Sequence, residues 1–504
     1  MNRYWVFFLA SVILALAYVP ELLAQGDDWY VSASNYGRYY YYEDTKSDSA
    51  ADRFQFDIYM GQFYAGGWYE MKHVFVRDTL SSLKVTSNKL TRRYFGWEDD
   101  GLNIQVGNFY QVFDRGLILN TYREDETSTD LVLDGIKINW RKKYFDLDVI
   151  STIQGIGDSV FYMLGDPVAG NILRGARVKF KPLNQFHIGG AYLSYIENMP
   201  NRISFIPKQM RSNLDQINAR VNLDYMDAYV EYARRKSNLD DPTRILSKGG
   251  DGTYVNITAF YSYFTGMFEY KNYKNLTCPI LTTASDNIIL NMPPAVNRQD
   301  RLIQSEGLHQ LPLNYITGER GYRGNLSISW SDYWGFEFDY AKSYSRDSIS
   351  YYIYEYYAGV RGNYFEDNTF SASLDFFEFT KKDETKSEFE INYFFSDIHL
   401  IELHTHMIDY EPIDSSSYSE KFIDITYSKA QDFHLTIGGS LSDNENSDDS
   451  KRLTYMEFTY TFGNGNHDLV LFRGGQRGGL VCAGGACKVV PSFEGFRVSL
   501  LSRF

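Results

Sequence analysis

The chain has 504 residues, of which 44% are hydrophobic and 17% aromatic, with 43 Tyr and 35 Phe. A mean hydropathy of −0.38 excludes a bundle of transmembrane helices, and a formal net charge of −14 disfavours nucleic acid or an anionic membrane surface as a partner. Three Cys exclude a fold carried by disulfides. The mixture of aromatic, polar and glycine residues is typical of a barrel with one lipid-facing and one wet face.

The chain starts with the features of a secretory signal peptide. A short basic region precedes the apolar run Trp5–Val19, and Leu22-Leu23-Ala24 offers a cleavage site before Gln25. The run is short for a membrane span, and no later segment has the apolar length of a transmembrane helix. We therefore expect residues 1–24 to be removed on export and 25–504 to form one domain that crosses a membrane with strands.

Segments of about ten residues that alternate between apolar and polar positions follow one another along the rest of the chain. In the first half, Arg53–Tyr64 and Gly67–Val76 are expected to form a hairpin around Ala65-Gly66-Gly67. The last third is the clearest, since Phe389, Ile391, Tyr393 and Phe395 alternate with Glu388, Glu390 and Asn392. The number of segments, about 24 within a range of about 22–26, predicts an all-β fold, an antiparallel up-and-down transmembrane β-barrel.

The connections between these segments alternate between short and long along the chain. With the C-terminus in the periplasm, periplasmic turns such as Ser396-Asp397 and Ala430-Gln431 are short, whereas external loops such as Lys236–Gly250 and Lys274–Arg323 are long. This difference is typical of a membrane barrel. A soluble β-sandwich also alternates, but here no linker divides so many strands into domains.

The segment Gly107–Asp130 is the most distinctive part of the first half. It combines aromatic and basic residues with acids, namely Tyr110, Phe113, Arg115, Arg123, Glu124, Asp125 and Glu126. About 22 or more strands enclose a lumen wide enough to need plugging. We hypothesise that this segment folds into the lumen as a constriction. The alternative is an exposed loop with solvated charges.

The last residues form an alternating strand that ends on an aromatic side chain. Phe496, Val498, Leu500 and Phe504 fall on one face, and Arg497, Ser499 and Arg503 fall on the other. The strand resembles the closing strand of bacterial outer-membrane barrels, in which the final aromatic residue, here Phe504, belongs to the membrane-insertion signal. An ordinary edge strand that ends in Phe is the alternative.

Two cysteines lie close together in the external loop before the last strand. Cys482 and Cys487 are separated by four residues, among them Ala483, Gly484 and Gly485, so a disulfide is favoured in an oxidising compartment. A metal site is the alternative, but it lacks a nearby His or further Cys. Cys278 is then left unpaired in the long loop, although it could instead pair with either of the others.

Five stretches resemble an uncharacterised family of Gram-negative outer-membrane barrels, classed as a domain of unknown function. They are Arg92-Arg93-Tyr94, the run from Gly107 to Leu117, Asn291-Met292-Pro293-Pro294, the glycine- and cysteine-containing run Arg477–Cys487, and the closing strand. The family pattern prefers Gly where this chain has Asp114. The resemblance implies the barrel and the Gram-negative outer membrane, and it supplies no activity.

The chain carries no P-loop, GxSxG or HExxH motif, so we predict no enzyme, no cofactor and no catalytic or metal residues. His404 and His406 share a strand face with Glu402, but residues of this kind more often line a wet interior than bind a metal. A membrane-barrel hydrolase built from distant Ser, His and Asp remains an alternative. An active transporter with a separate plug domain is disfavoured, because strand alternation starts soon after residue 24.

The sequence therefore predicts a passive or gated outer-membrane channel for small polar solutes, with the lipid bilayer and the barrel-assembly machinery as partners. The alternative is a scaffold, or a secretion- or assembly-associated barrel, whose external loops bind a protein partner. The loop Lys274–Arg323 is long enough for that role.

Overall fold

The structure is a computed structural model that describes most of the chain. It covers residues 29–77, 82–124, 129–154, 171–198, 209–237, 249–276, 291, 294–298, 318–346, 351–364, 368–380, 382–413, 416–430, 432–444, 452–483, 486–490 and 492–504. Every element named in these ranges is a strand. No helix in them is long and apolar enough to cross a membrane. The predicted signal peptide, residues 1–24, lies outside the described residues.

The strands follow one another at short intervals. They are β1 (Trp29–Tyr42), β2 (Ser47–Met60), β3 (Phe63–Arg77), β4 (Ser82–Asp99), β5 (Leu102–Phe109), β6 (Arg123–Glu124), β7 (Thr129–Asp130), β8 (Leu133–Arg141), β9 (Phe145–Gln154), β10 (Asn171–Leu183), β11 (Phe186–Asn198), β12 (Gln209–Leu223), β13 (Met226–Ser237), β14 (Gly249–Tyr261), β15 (Phe264–Lys274), β16 (Gly318–Ser329), β17 (Trp334–Ser345), β18 (Tyr352–Tyr364), β19 (Asn368–Phe379), β20 (Lys382–Ser396), β21 (His399–Pro412), β22 (Tyr418–Lys429), β23 (Phe433–Ser442), β24 (Arg452–Phe462), β25 (His467–Gln476), β26 (Gly479–Ala483), β27 (Ala486–Val490) and β28 (Phe493–Arg503).

Twenty-four of these strands form one closed antiparallel sheet. Most pair with the next strand in the sequence, and β5 pairs with β8 and β25 with β28 across the intervening segments. The barrel closes where β1 pairs with β28, from Ser34 opposite Arg503 to Tyr42 opposite Gly495. The pairs β6–β7 and β26–β27 are small separate hairpins. The predicted up-and-down barrel of about 24 strands is confirmed.

The predicted hairpin turn at Ala65-Gly66-Gly67 is wrong, because these residues lie inside β3. The chain turns instead at Gly61 and Gln62, where Gly61 has a φ of 55°, a conformation that glycine adopts without strain. Gly66 is needed for close packing rather than for a turn. A Cβ atom there would lie only 2.6 Å from the ring of Tyr94.

The external connections are shorter than the sequence predicts, since the strands extend beyond the apolar segments. The long loop runs from 275 to 317, and Arg323 lies within β16 rather than in the loop. The connection predicted at Lys236–Gly250 is likewise reduced to 238–248. Polar residues at the external ends of the strands therefore continue the hydrogen-bonded sheet.

The two faces of the sheet differ in polarity and exposure. In β13, Val230 and Tyr232 are 44% and 43% exposed, whereas Tyr229, Glu231 and Ala233, which alternate with them, are buried. Because neighbouring strands keep this register, apolar side chains such as Phe95 and Ile136 face outward on the other strands as well. The polar face lines the lumen, as expected for a barrel in lipid.

Candidate functional site

The segment between β5 and β8 packs inside the barrel. Its side chains Phe113, Leu117, Ile118 and Leu119 are at most 1% exposed. They form one apolar cluster with lumen-facing residues of eight successive strands from β8 to β15, among them Leu133, Ile150, Leu173, Leu193, Leu214, Tyr229, Tyr254 and Tyr273. We call residues 107–130 the inner segment. Burial of each of these apolar side chains contributes about 1.5–3 kcal/mol.

The inner segment has its own hydrogen bonds. The Phe113 amide donates to the Leu119 carbonyl at 3.0 Å, and the Thr121 amide donates to the Gln111 carbonyl at 3.1 Å. The turn between them contains Gly116 with a φ of 88° and Asp114 with a φ of 52°. Glycine adopts such angles most easily, so Asp114 holds a backbone conformation that few other residues favour.

The Asp114 carboxylate is the polar anchor of the inner segment. Its side chain is 1% exposed and lies 3.2 Å from Arg177 Nη1 and 3.1 Å from Lys179 Nζ. It also accepts hydrogen bonds from Gln216 Nε2 at 2.9 Å and Asn218 Nδ2 at 2.8 Å. These four partners come from β10 and β12, so one carboxylate ties the segment to two strands of the wall.

Arg115 extends this contact to β13. Its amide donates to Glu231 Oε2 at 3.3 Å, and its guanidinium lies 5.5 Å from the centre of the Tyr229 ring. Tyr229 in turn donates to Glu231 at 2.5 Å. Both donors reach the same oxygen, Oε2, of the buried Glu231 side chain.

The other end of the inner segment contacts β3 and β4. The Tyr110 hydroxyl accepts from Arg92 Nη2 at 2.8 Å and donates to Asp130 at 2.8 Å, and Arg92 also pairs with Asp130. Burial raises the pKa of the Tyr110 phenol. The Arg123 guanidinium lies 4.6 Å from the centre of the Trp68 ring.

The structure thus places Tyr110, Phe113, Arg115 and Arg123 on the inner side of the barrel wall. The Glu124 side chain and the residues Asp125 and Glu126, named with them in the sequence, lie outside what the structure describes.

Part of the long loop also enters the barrel. Asn291 Nδ2 donates to the Leu117 carbonyl at 2.8 Å, and Val296 is fully buried in the same apolar cluster. Farther along, the Arg298 amide donates to Glu355 at 2.7 Å and its guanidinium donates to Glu337 at 2.7 Å. The sequence predicts this loop outside the barrel. The Asn-Met-Pro-Pro stretch that begins at Asn291 is the one sequence feature that distinguishes this part of the loop.

Exposure of lumen-facing charges differs between the two sides of the barrel. Beside the inner segment, Asp148 and Glu231 are fully buried. On β20, β24 and β28, the side chains of Glu388, Glu457 and Arg497 are 34%, 33% and 25% exposed. The inner segment therefore fills one side of the lumen, and the polar wall of the other side remains accessible to water.

The two histidines of β21 face this accessible side. His404 Nε2 lies 2.8 Å from Glu388 and Nδ1 lies 3.5 Å from Asp424, while His406 stacks on Phe422 with ring centres 4.1 Å apart. Among the residues that the structure describes, no group of three or more His, Cys, Asp or Glu is arranged to hold a metal.

The predicted cysteine pair lies in the β26–β27 hairpin, where the register places Cys482 opposite Cys487. Directly opposed residues of antiparallel strands have Cα atoms about 4.5–5.5 Å apart, inside the range of about 4.4–6.8 Å found for disulfides. The backbone is therefore compatible with the bond, which stays a prediction. Cys278 lies outside the described residues.

Solved structures similar to this chain are barrels. The translocation pore of the P pilus usher PapC has a TM-score of 0.52 and 10% identity, with 94% of this chain and 99% of that chain covered. A P pilus tip assembly intermediate of E. coli, PapC-PapD-PapK-PapG, gives a TM-score of 0.54 and 8% identity and covers 95% of this chain and 62% of that chain. At these identities the likeness concerns the fold. Comparison with the curated proteins gives no match.

A family model extends over most of the sequence. The model of a family of unknown function, DUF6029, matches residues 5–328 and 375–504. The matched ranges include the inner segment, the cysteine hairpin and the closing strand. The predicted resemblance is confirmed, and the chain belongs to the DUF6029 family.

Proposed function

We propose that this protein is a Gram-negative outer-membrane channel that admits small polar solutes passively, with the inner segment as a fixed constriction. The uneven exposure of the lumen-facing charges supports this function. Buried side chains such as Asp148 and Glu231 lie beside the inner segment, whereas Glu388, Glu457 and Arg497 border a gap that water can reach. Selection in such a gap is steric and electrostatic.

The contacts of the inner segment favour a fixed constriction over a mobile gate. Moving it away would expose Phe113, Leu117, Ile118 and Leu119 and would leave Lys179 without the Asp114 carboxylate. Breaking a buried ion pair by removing one partner typically costs about 3–5 kcal/mol. The lipid bilayer and the barrel-assembly machinery are the partners this function requires, after export by the signal peptide in residues 1–24.

The channel is tested by single-channel conductance of the mature chain in planar bilayers. We expect open steps in the wild type and a several-fold larger conductance when 111–121 is replaced by a short Gly-Ser link. Removal of eleven residues from the external loop at 238–248 is the matched control and should leave the conductance unchanged. Heat-modifiable migration on gels would verify that both variants are folded. A wild type that is silent, with the deletion equally silent, would refute the channel.

A scaffold whose external loops bind a protein partner is the second candidate. It is favoured by the length of the loop between β15 and β16, which runs from 275 to 317. The PapC barrel of the similar assembly is solved with PapD, PapK and PapG. Photo-crosslinkers introduced at positions 300 and 310 in intact cells would capture a specific protein if the barrel is a scaffold. They would capture none if it is only a channel.

A further inference from the structure

A row of arginine and aromatic side chains crosses the lumen wall where it meets the inner segment. Starting from β1, the row consists of Arg38, Tyr36, Arg53, Trp68, Arg92, Tyr110 and Arg123. Each guanidinium lies near a ring face: Arg38 and Arg53 are each 5.7 Å from the centre of Tyr36, Arg53 and Arg92 are each 5.3 Å from Trp68, and Arg92 is 5.4 Å from Tyr110. We call this set the arginine–aromatic row.

The strand register explains why these residues form a continuous row. Tyr36 is opposite Arg53 on β2, and Trp68 is opposite Arg92 on β4. All four lie near the middle of their strands, so the row crosses the wall well inside the barrel. Tyr36, Arg53 and Trp68 are partly exposed, whereas Arg92 is 5% exposed.

Charged side chains line both walls of the lumen. The row brings four guanidinium groups together, with Asp130 paired with Arg92 and Glu70 opposite Arg53 in the register. In the wall that includes β20 and β24, Glu388 pairs with Lys386 and Glu457 pairs with Arg497 of β28. The row is therefore distinguished by guanidinium groups that lie against aromatic rings, not by a difference in charge between the walls.

We propose that the arginine–aromatic row binds acidic sugars, as a recognition strip of the proposed channel. Guanidinium groups bind carboxylates through paired, charge-assisted hydrogen bonds. Trp68 and Tyr36 offer flat apolar surfaces on which the C–H face of a pyranose ring packs. A ring that carries a carboxylate satisfies both features at once, whereas an inorganic anion uses only the first. This inference rests on the proposed function in that solute reaches the row through the gap.

The test compares galacturonate with galactose, which has the same ring without the carboxylate. In planar bilayers we expect galacturonate to interrupt the current of the full mature chain at a concentration about tenfold lower than galactose, since it adds one charge-assisted pair. Arg53→Gln should lower the preference for galacturonate over galactose about tenfold. Trp68→Leu should weaken the interruption of the current by both sugars. Arg473→Gln, a change of the same type at a side chain 74% exposed outside the row, is the matched control and should behave as wild type.

Calorimetric titration of the detergent-purified barrel with the same two sugars separates this proposal from the channel itself. Preferential galacturonate binding that Arg53→Gln weakens, in a barrel that does not conduct, would overturn the channel and support the strip. Open channels in which both sugars bind equally, or in which Arg53→Gln has no more effect than Arg473→Gln, would overturn the strip and leave the channel intact.

Discussion

Replacing Asp114 by Asn should loosen the inner segment without removing any atom from its turn. The wild-type carboxylate is 1% exposed and lies within 3.2 Å of two cations, Arg177 and Lys179. Removing one partner of a buried ion pair costs about 3–5 kcal/mol. We expect the low end, about 3 kcal/mol, because Arg177 also pairs with Asp148 at 2.5 Å and the new amide can still accept one hydrogen bond. This corresponds to roughly a hundredfold larger equilibrium constant for local opening.

Hydrogen–deuterium exchange of the peptide that contains residues 109–122 measures this opening directly, with the protein in detergent or nanodiscs. Asp432→Asn, a change of the same type in an exposed turn where Asp432 pairs with Lys429, is the control. A second pair of variants, Asp114→Ala and Asp114→Gly, tests the backbone. Ala should destabilise the docked inner segment by about 1 kcal/mol more than Gly, because the φ at position 114 is 52°. Exchange in Asp114→Asn that stays within about threefold of the control would refute the assigned role of the carboxylate.

Three further predictions concern other parts of the molecule. Leu119→Ala removes a fully buried side chain, so it should destabilise the docked inner segment by about 2–5 kcal/mol and speed the same exchange, which a surface Leu→Ala change would not do. The peptide with Cys482 and Cys487 should resist alkylation until the exported protein is reduced, and mass spectrometry before and after reduction measures this; immediate alkylation would contradict the disulfide. Deletion of Phe504, whose amide and carbonyl both bond to Ala33 across the closing seam, should lower the heat-modifiable folded barrel in outer-membrane fractions.

The barrel was predictable because each membrane strand repeats a local pattern. A period of two with one lipid-facing side is visible within ten residues, as in the stretch around Ile391, and it needs no knowledge of distant contacts. Turn positions were less secure. Gly66 and Gly67 resemble turn residues, yet the sheet uses Gly66 to receive the ring of Tyr94, a contact made by the neighbouring strand.

The contacts of the candidate site were not predictable from the sequence. The size of the lumen and the composition of Gly107–Asp130 pointed to an inner segment. The partners of Asp114 are separated from it by up to 104 residues, and nothing local to Asn218 marks it as a partner. The same holds for the row at Trp68, because its continuity depends on the register of four strands.

Exchange and conductance together distinguish a fixed constriction from a gate. Let K be the equilibrium constant for opening of the inner segment. The hundredfold larger K expected in Asp114→Asn raises the open fraction above about one in ten only when the wild-type K exceeds about one in a thousand. Faster exchange with unchanged mean conductance therefore means that the wild-type channel conducts through the permanent gap beside Glu388 and Arg497. A parallel rise in both means that conduction depends on opening. The buried contacts of Asp114, Leu117 and Leu119 lead us to expect the first result.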